Sequence, residues 1–493
     1  MKTNISKNLH INIQHLKENF KDCGDFVERK IPIRSENALK SLIYVVYIDA
    51  LIDRKALEIS VISPIITRIN NIGCDSLFET IKDVGVSTAE VKDETDFDKI
   101  LTSVLSGDCA IFVDGFDKAM IISAKGFPSR GVQKAETEVV VQGSQEAFSE
   151  GMRTNTGLIR RRIRDTKLKV VQTQMGRRSA TDVAVMYLEG IARPKIVEET
   201  LKRLAETDID AVLDSGYVEQ LIEDNWLSPF PQTQMTERPD KAAASILEGR
   251  VVIVVDNSPF VLIVPATLAC FYQSSEDYYQ RFHIMSFARV LRYAAGFLAI
   301  ALPGLYIALT VFHPSMIPML LAFKMAAAHE LVPFPTVFEV LMMELAFELL
   351  REAGIRLPGA VGSSIGIIGG LIIGQAAVEA GIVSPSVVIV VALTGIASFA
   401  IPQYSLVAAF RIMKYLIIIM SAFFGLFGFW AAMIVITVHL AGLKSFGIPY
   451  LFPFSAGGMN RNTDYKDTVV RAPLFMMKKR PFFSDPSNRK RQP

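Results

Sequence analysis

The residues best suited to ion chemistry are three glutamates, Glu344, Glu348 and Glu352, which recur at every fourth position. Residues four apart share one face of a helix, so their carboxylates form a single acidic stripe. Such a stripe can attract cations and line their path through an oligomer. Arg351 and Arg356 are spaced to pair with Glu348 and Glu352, so a salt-bridged helix at the membrane interface is the alternative interpretation.

Four glycines also recur at every fourth position in the next apolar segment: Gly362, Gly366, Gly370 and Gly374. This spacing places them on one helix face, where a second helix can approach to backbone contact. Gln375 and Glu379 continue the segment, and polar groups at membrane depth normally face protein or water. These six residues are therefore candidates for pore lining or gating. Helix packing alone is the alternative that explains most such glycine repeats.

A basic run connects the two halves of the N-terminal region, with nine Lys or Arg from Arg153 to Arg178 against the single acid Asp165. Its densest part is a cluster of four arginines: Arg160, Arg161, Arg162 and Arg164. We predict that this cluster contacts anionic lipid headgroups or a neighbouring subunit; a solvated helix followed by a basic strand is the alternative. A nucleic-acid partner is not expected, because the net charge is only +2 and no nucleic-acid-binding motif accompanies the cluster.

Nothing in the sequence indicates catalysis. The four cysteines lack CxxC spacing and a nearby histidine cluster, which argues against a disulfide framework and against a zinc site. No nucleophile and base pair or phosphate-binding loop stands out, and histidines such as His329 and His439 are expected to pack or to line interfaces. We therefore predict that the protein is not an enzyme and has no cofactor or metal.

The elements that must position these residues fall into two halves. Hydrophobic residues make up 50% of the 493-residue chain, but they are concentrated after about residue 290. The preceding part mixes charge, glycine, proline and short β-rich runs, as cytosolic α/β proteins do, whereas the later part contains long apolar stretches. We predict an α/β soluble region of two duplicated subdomains, followed by an all-α polytopic membrane domain.

The duplication is visible without gaps. VLSGDCAIFVDGFDKAMII, at 104–122, aligns with ILEGRVVIVVDNSPFVLIV, at 246–264. Each contains a helix end, a glycine, an apolar strand, an Asp-led turn and a second apolar strand. The stretch from Val251 to Leu268 is apolar enough to suggest a membrane span, but its counterpart is short and interrupted by DGFDK. We therefore predict a β-hairpin that turns at Asp256–Pro259.

The predicted domains are an N-terminal extension at 1–39, subdomains at 40–135 and 180–272, a basic connecting segment at 136–179, a linker at 273–286, a membrane domain at 287–445 and a basic tail at 446–493. Four spans are predicted, at about 288–312, 360–383, 386–402 and 415–441, with a partly embedded segment at 314–357. The basic tail and the absence of an apolar N-terminal segment place both ends in the cytosol. This arrangement places Arg411 and Lys414 on the outer side, which the positive-inside rule disfavours.

An ordered set of motifs resembles one known family. The motifs are TERPD at 236–240, EGRVVIVVDNSP at 248–259, QSSEDYYQR at 273–281, VPFP at 332–335, LLREAGIRLP at 349–358 and IIGQAAVEAG at 372–381. Together they resemble the A subunit of the spore germinant receptors, the GerA family, over about residues 140–445. Each motif is weak alone, but the ordered set is specific. The first 130 residues and the tail carry less of the resemblance.

The resemblance implies a subunit of a multi-protein receptor in the inner membrane of a bacterial endospore. Its expected partners are a multi-pass B subunit that resembles an amino-acid transporter and binds the nutrient, a C-subunit lipoprotein, membrane lipids and further copies of itself in a ring. The ring is expected to act as a nutrient-gated cation channel. Three alternatives remain open: a sporulation-stage paralogue whose ion channel amplifies germination, a membrane scaffold that conducts nothing, and, least favoured, an enzyme.

Overall fold

The chain is described here by a computed structural model, which covers residues 4–34, 40–68, 77–85, 91–126, 135, 137–356, 374–455 and 464–492. The chain divides into two compact units. The α/β unit comprises Met1–Asp224, Thr233–Ala266 and Met477–Pro493. The helical unit comprises Asn225–Gln232 and Thr267–Met476.

The first half of the α/β unit is built on a five-stranded antiparallel sheet. Its strands are β1 (Phe26–Arg34), β2 (Lys40–Ile48), β3 (Val91–Glu94), β4 (Asp108–Val113) and β5 (Ala119–Ser123). They lie in the order β1-β2-β4-β5-β3. The central strands are apolar runs buried on both faces, which is why they occupy the middle of the sheet.

The second half repeats this plan. Its strands are β6 (Leu168–Met175), β7 (Thr181–Leu188), β8 (Gln234–Thr236), β9 (Val251–Val255) and β10 (Val261–Val264). Their order, β6-β7-β9-β10-β8, matches the order of the first sheet strand for strand. The two aligned segments form equivalent hairpins, β4-β5 and β9-β10. The predicted duplication is therefore confirmed at the level of sheet topology.

The apolar stretch from Val251 onward is a hairpin rather than a membrane span, as predicted. Val252 pairs with Ile263 across it, and every residue of both strands is buried. Asn257 adopts a φ of 65° in the turn. Asparagine tolerates this left-handed conformation better than most residues because its short side chain bonds locally.

Helices cover these sheets. Those of the α/β unit are α1 (Leu9–Asn19), α2 (Arg54–Leu57), α3 (Ser63–Arg68), α4 (Leu77–Thr80), α5 (Phe97–Leu105), α6 (Met152–Arg162), α7 (Pro194–Glu206), α8 (Ser215–Ile222) and α9 (Pro239–Leu247). The apolar face of α1, including Leu9 and Leu16, packs against Tyr44 and Val46 of the first sheet. Residues 1–39 thus contribute a helix and an edge strand to the first subdomain, which differs from the separate extension predicted. We did not predict β1, because FVERKIPIR mixes charged and apolar residues.

The helical unit contains α10 (Leu268–Phe271), α11 (Phe282–Ile307), α12 (Met319–His329), α13 (Thr336–Arg356), α14 (Pro385–Phe399) and α15 (Tyr404–Gly442), together with the short strands β11 (Lys444–Ser445) and β12 (Ile448–Pro449). Residues 374–379 are also helical. Among the described residues, two helices are long and apolar enough to cross a membrane, Phe282–Phe312 and Tyr404–Gly442. They contain the predicted spans 288–312 and 415–441. Most of the predicted span 360–383 lies outside the described residues.

The last helix changes direction at Gly425. This residue has a φ of 59° and a ψ of −137°, which interrupt the helical conformation of α15. A Cβ at this position would lie 2.8 Å from Cβ of Phe312. Without the break, 39 residues would extend about 58 Å, far beyond the roughly 30 Å hydrocarbon core of a bilayer. Arg411 and Lys414 lie within α15, before the break, and their placement on the outer side stays a prediction.

Candidate functional site

The acidic stripe lies on α13. Three carboxylates of this helix, two of them from the stripe, contact groups from other elements of the helical unit. They belong to Glu339, Glu344 and Glu348. The first two are almost fully buried, because neighbouring helices pack over this face of α13. Two of the three were expected from the glutamate spacing. Glu339 was missed because it falls outside that four-residue series, although it lies on the same helix.

Glu344 forms an ion pair with Lys414 of α15, and both side chains are buried. A charge taken out of water costs several kcal/mol unless it is paired, so each of these groups depends on the other. Removing one partner of such a pair destabilises a protein by about 3–5 kcal/mol. The pair therefore fixes how α13 packs on α15.

Glu348 is held one turn further along α13. Arg411 of α15 donates to its carboxylate, and Arg351 lies 3.8 Å from the second carboxylate oxygen. Arg351 also donates to Oγ of Ser398 on α14, at 3.2 Å. A cavity of about 10 Å³, room for a single water molecule, lies among Glu344, Arg351 and residues of α14 and α15. In this packing Glu344 and Glu348 are neutralised by basic side chains.

Glu339 has different partners. The backbone N–H of Ser384 donates to its Oε2 at 2.5 Å, and Nδ1 of His329 lies 2.9 Å from its Oε1. Within the described part of the chain, no lysine or arginine lies within ion-pair distance of this carboxylate. His329 and Ser384 also line a cavity of about 190 Å³, whose wall carries the hydroxyls of Tyr306, Thr310, Thr336, Ser384 and Ser386.

The remaining predicted pore residues are only partly described. Glu352 is exposed on α13. Gln375 donates to Glu379 at 2.9 Å, and both side chains are exposed. A Cβ at Gly374 would lie 3.3 Å from Cγ1 of Val388, so this glycine permits a close approach to α14. Gly362, Gly366 and Gly370 lie outside the described residues. Among those that are described, no group of three metal-ligating side chains was found.

The arginine cluster is divided by the fold. Arg160 is buried and donates through two nitrogens to Asp25, at 2.7 and 2.9 Å. Burial alone would lower the pKa of Arg160, but the charge of Asp25 raises it on balance. Arg161 and Arg162 donate to Glu146, and burial, which would raise the pKa of that carboxyl, is outweighed by these two arginines. Arg160 is therefore not available to a headgroup, contrary to its predicted role, while Arg164 is exposed.

A second buried ionic cluster joins the beginning of α11 to the chain beyond β12. Arg289 donates to Asp277 at 2.7 Å and to Asp467 at 2.6 Å. Arg292 also donates to Asp277, at 2.7 Å, and the hydroxyl of Tyr278 donates to Asp467 at 2.6 Å. We call these five residues the tail clamp. No pattern in the sequence pointed to the partner of these arginines in the tail.

Comparison with known proteins shows which family this sequence resembles. A family model described as "Bacillus/Clostridium GerA spore germination protein" matches residues 14–483. Spore germination protein KA of Bacillus subtilis (strain 168) is 42% identical, over 97% of this chain and 87% of its own length. Stage V sporulation protein AF of the same organism is 36% identical, over 82% of this chain and 81% of its own length.

One solved structure also matches. It is the N-terminal domain of the A subunit of the Bacillus megaterium spore germinant receptor GerK3. The match has 34% sequence identity and a TM-score of 0.42, and it covers 54% of this chain and 98% of that chain. The family model spans nearly the whole sequence, and the relatives align over most of both lengths. The chain therefore belongs to the GerA family of Bacillus/Clostridium spore germination proteins.

Proposed function

We propose that this chain is the A subunit of a nutrient-responsive spore germinant receptor, and that copies of it form a ring that conducts cations when the receptor is triggered. The observation that carries this proposal is the set of ion pairs between α13 and α15, Glu344 with Lys414 and Glu348 with Arg411. In a membrane helix bundle they mark an ion path or a switch.

The pairs give the ring two alternative states. While α13 packs on α15, lysine and arginine neutralise Glu344 and Glu348, so these two carboxylates are not presented to a cation. If the helices slide or rotate apart, the carboxylates become able to attract cations. Reversing a 1:99 population to 99:1 requires about 5.5 kcal/mol of differential binding energy. Ligand binding on a partner subunit would supply this energy by favouring the packing in which the pairs are separated.

The glycine repeat has a supporting part in this proposal. Small residues allow helices to slide at backbone distance, so the segment from Gly362 to Gly374 would form the moving contact. A leucine at position 366 would prevent close approach, and we expect Gly366→Leu to block assembly or gating. Normal germination with this variant would remove the glycine repeat from the mechanism.

The proposed setting follows the family. The receptor would lie in the inner membrane of the endospore, with four spans and with both chain ends in the spore core. A B subunit resembling an amino-acid transporter would bind the nutrient, and a lipoprotein C subunit would complete the complex. Arg164, which is exposed, is the member of the arginine cluster best placed to contact headgroups or a neighbouring subunit.

The test is nutrient-triggered potassium release from spores whose sole germinant receptor contains this chain. We expect release to depend on the chain and to fall when Glu344→Gln and Glu348→Gln are combined. Glu330→Gln is the matched control, because it removes an exposed charge on the neighbouring segment after α12. Unchanged release from the double variant, at normal protein level, would exclude the acidic stripe from conduction.

The same spores distinguish the receptor subunit from the two alternatives, a sporulation-stage paralogue and a non-conducting scaffold. Similarity to Stage V sporulation protein AF supports a paralogue that acts after nutrient sensing. In that case the other receptor subunits alone would still start potassium release, and this chain would change only the later rate of release. A scaffold would be required for release but would give no conductance when the purified chain is placed in planar bilayers.

A further inference from the structure

The helical unit includes a short loop that comes from the middle of the α/β sequence. This loop, Asn225–Gln232, lies between α8 and β8 in the chain, yet it packs with Thr267–Met476. Its sequence is NWLSPFPQ, with two prolines and three large apolar residues. We call it the tryptophan loop. No pattern in the sequence distinguished it from an ordinary connection.

The tryptophan loop is fixed to the end of the second long apolar helix. Oγ of Ser228 hydrogen-bonds Nε2 of His439 at 2.8 Å. The ring of Phe230 is buried against His439 and Phe410, with centroid distances of 5.9 and 6.3 Å. Phe410 lies near the beginning of α15 and His439 lies in its last turn, so these contacts hold the loop where the two ends of the broken helix meet.

The loop is also closed on itself, so its exposed residues are presented in one conformation. The side chain of Gln232 accepts from the backbone N–H of Asn225 at 2.9 Å and donates to its carbonyl at 2.7 Å. Oδ1 of Asn225 accepts from the backbone N–H of Leu227 at 3.1 Å. Oγ of Ser445 donates to the carbonyl of Gln232 at 2.7 Å.

Two apolar side chains project from this rigid loop. Trp226 is 79% exposed and Leu227 is 72% exposed. Val435 and Val438 lie within one turn of His439 on α15 and are also exposed, so the helix surface beside the loop's attachment point is apolar. Burying apolar surface is favourable, and tryptophan concentrates where a membrane span meets water, because its ring is apolar and its N–H is polar.

We propose that Trp226 and Leu227 insert into the lipid headgroup region and anchor the tryptophan loop to the membrane surface. A lipid interface fits better than a protein partner, because the loop is fixed at the level where a span ends and lies beside an apolar helix surface. This anchor does not depend on ion conduction. It would give the α/β sequence a direct hold on the bilayer, separate from the arginine cluster.

The chain offers a sharp test, because Trp226 and Trp430 are its only tryptophans. Trp430 is nine residues before His439, about 13 Å deeper along the helix axis. The full chain is placed in nanodiscs whose lipids carry bromine either near the glycerol or near the chain ends, since bromine quenches tryptophan at contact. Trp430→Phe reports Trp226 alone, and Trp226→Phe reports Trp430 alone.

We expect Trp226 to lose fluorescence mainly with lipids brominated near the glycerol, and Trp430 to lose more with lipids brominated near the chain ends. If Trp430→Phe is unstable, the quenching of Trp226 is obtained by subtracting the fluorescence of Trp226→Phe from that of the unsubstituted chain. Absence of quenching at Trp226, while Trp430 is quenched in the same nanodiscs, would overturn the proposal in favour of water or a protein partner. Quenching of Trp226 only by deep bromines would overturn the interfacial position.

Discussion

Arg289, near the beginning of the first long apolar helix, donates to the carboxylate of Asp467, 178 residues later in the chain, at 2.6 Å. Arg289 is fully buried, and its other partner, Asp277, is buried as well. Charges are stable in such a place only when they are paired and hydrogen-bonded. Residues 464–476 are therefore a structural part of the helical unit, and they hold the entry to the first candidate span in position.

Asp467→Asn should destabilise the helical unit, because it leaves one nitrogen of Arg289 without its anionic partner. The expected loss is about 1.5–3 kcal/mol, the value of a hydrogen bond to a charged group, because Arg289 keeps Asp277 and Asp467 is partly exposed. It is measured as a lower midpoint of thermal unfolding of the purified full chain, together with faster proteolysis after residue 464. Lys466→Gln is the control, because Lys466 is exposed beside Asp467. Equal midpoints for both variants would mean that the clamp does not stabilise the unit.

Gly425→Ala should disturb the contact between α15 and the end of the first candidate span. The alanine Cβ would meet Phe312 at 2.8 Å, in a backbone conformation that only glycine adopts easily. A strained residue of this kind costs about 1–3 kcal/mol. We expect a lower unfolding midpoint, whereas Gly442→Ala, with no atom within 4 Å of its Cβ, should have little effect. Similar midpoints for the two variants would show that the helix tolerates a side chain at the break.

Local patterns in the sequence predicted the parts of the structure that local forces determine. The hairpin at Val251–Val264 was readable because two apolar runs flank an Asp-Asn-Ser-Pro turn, and its counterpart 142 residues earlier repeats the pattern. The partners of the charged residues were not readable. Lys414 lies 70 residues from Glu344, and no spacing rule relates positions so far apart. Trp226 was missed for the same reason, because only the fold brings its loop to His439.

The α/β unit should show one acid whose burial opposes stability at neutral pH. Burial raises the pKa of Glu219 above its ordinary value of 4.5; the hydroxyl of Thr233 opposes this and Asp214 adds to it. The folded protein therefore binds this proton more tightly than the unfolded chain does, so stability falls as the pH rises from 4.5 through the raised pKa.

Glu219→Gln keeps the oxygen that accepts from Thr233 and removes the charge. We expect this variant to be more stable than the unsubstituted chain near neutral pH, and the advantage should shrink toward pH 4.5. Urea unfolding of the full chain, followed by loss of sheet signal, measures both. Glu199→Gln is the control, because that exposed carboxylate pairs with Arg203 on the same helix. A constant difference across this pH range would contradict the assignment.

Lys414→Met tests whether the α13–α15 pair holds the closed state. It leaves the buried carboxylate of Glu344 unpaired, which destabilises this packing by about 3–5 kcal/mol. Spores with this variant should release potassium without nutrient. Adding Glu344→Gln removes the unpaired charge, so the double variant should be quiescent again, and that recovery separates gating from simple loss of the protein. Glu330→Gln should leave quiescence unchanged, because its carboxylate is exposed. If Lys414→Met spores stay quiescent at normal protein level, or if the double variant leaks as much as the single one, the pair does not control opening.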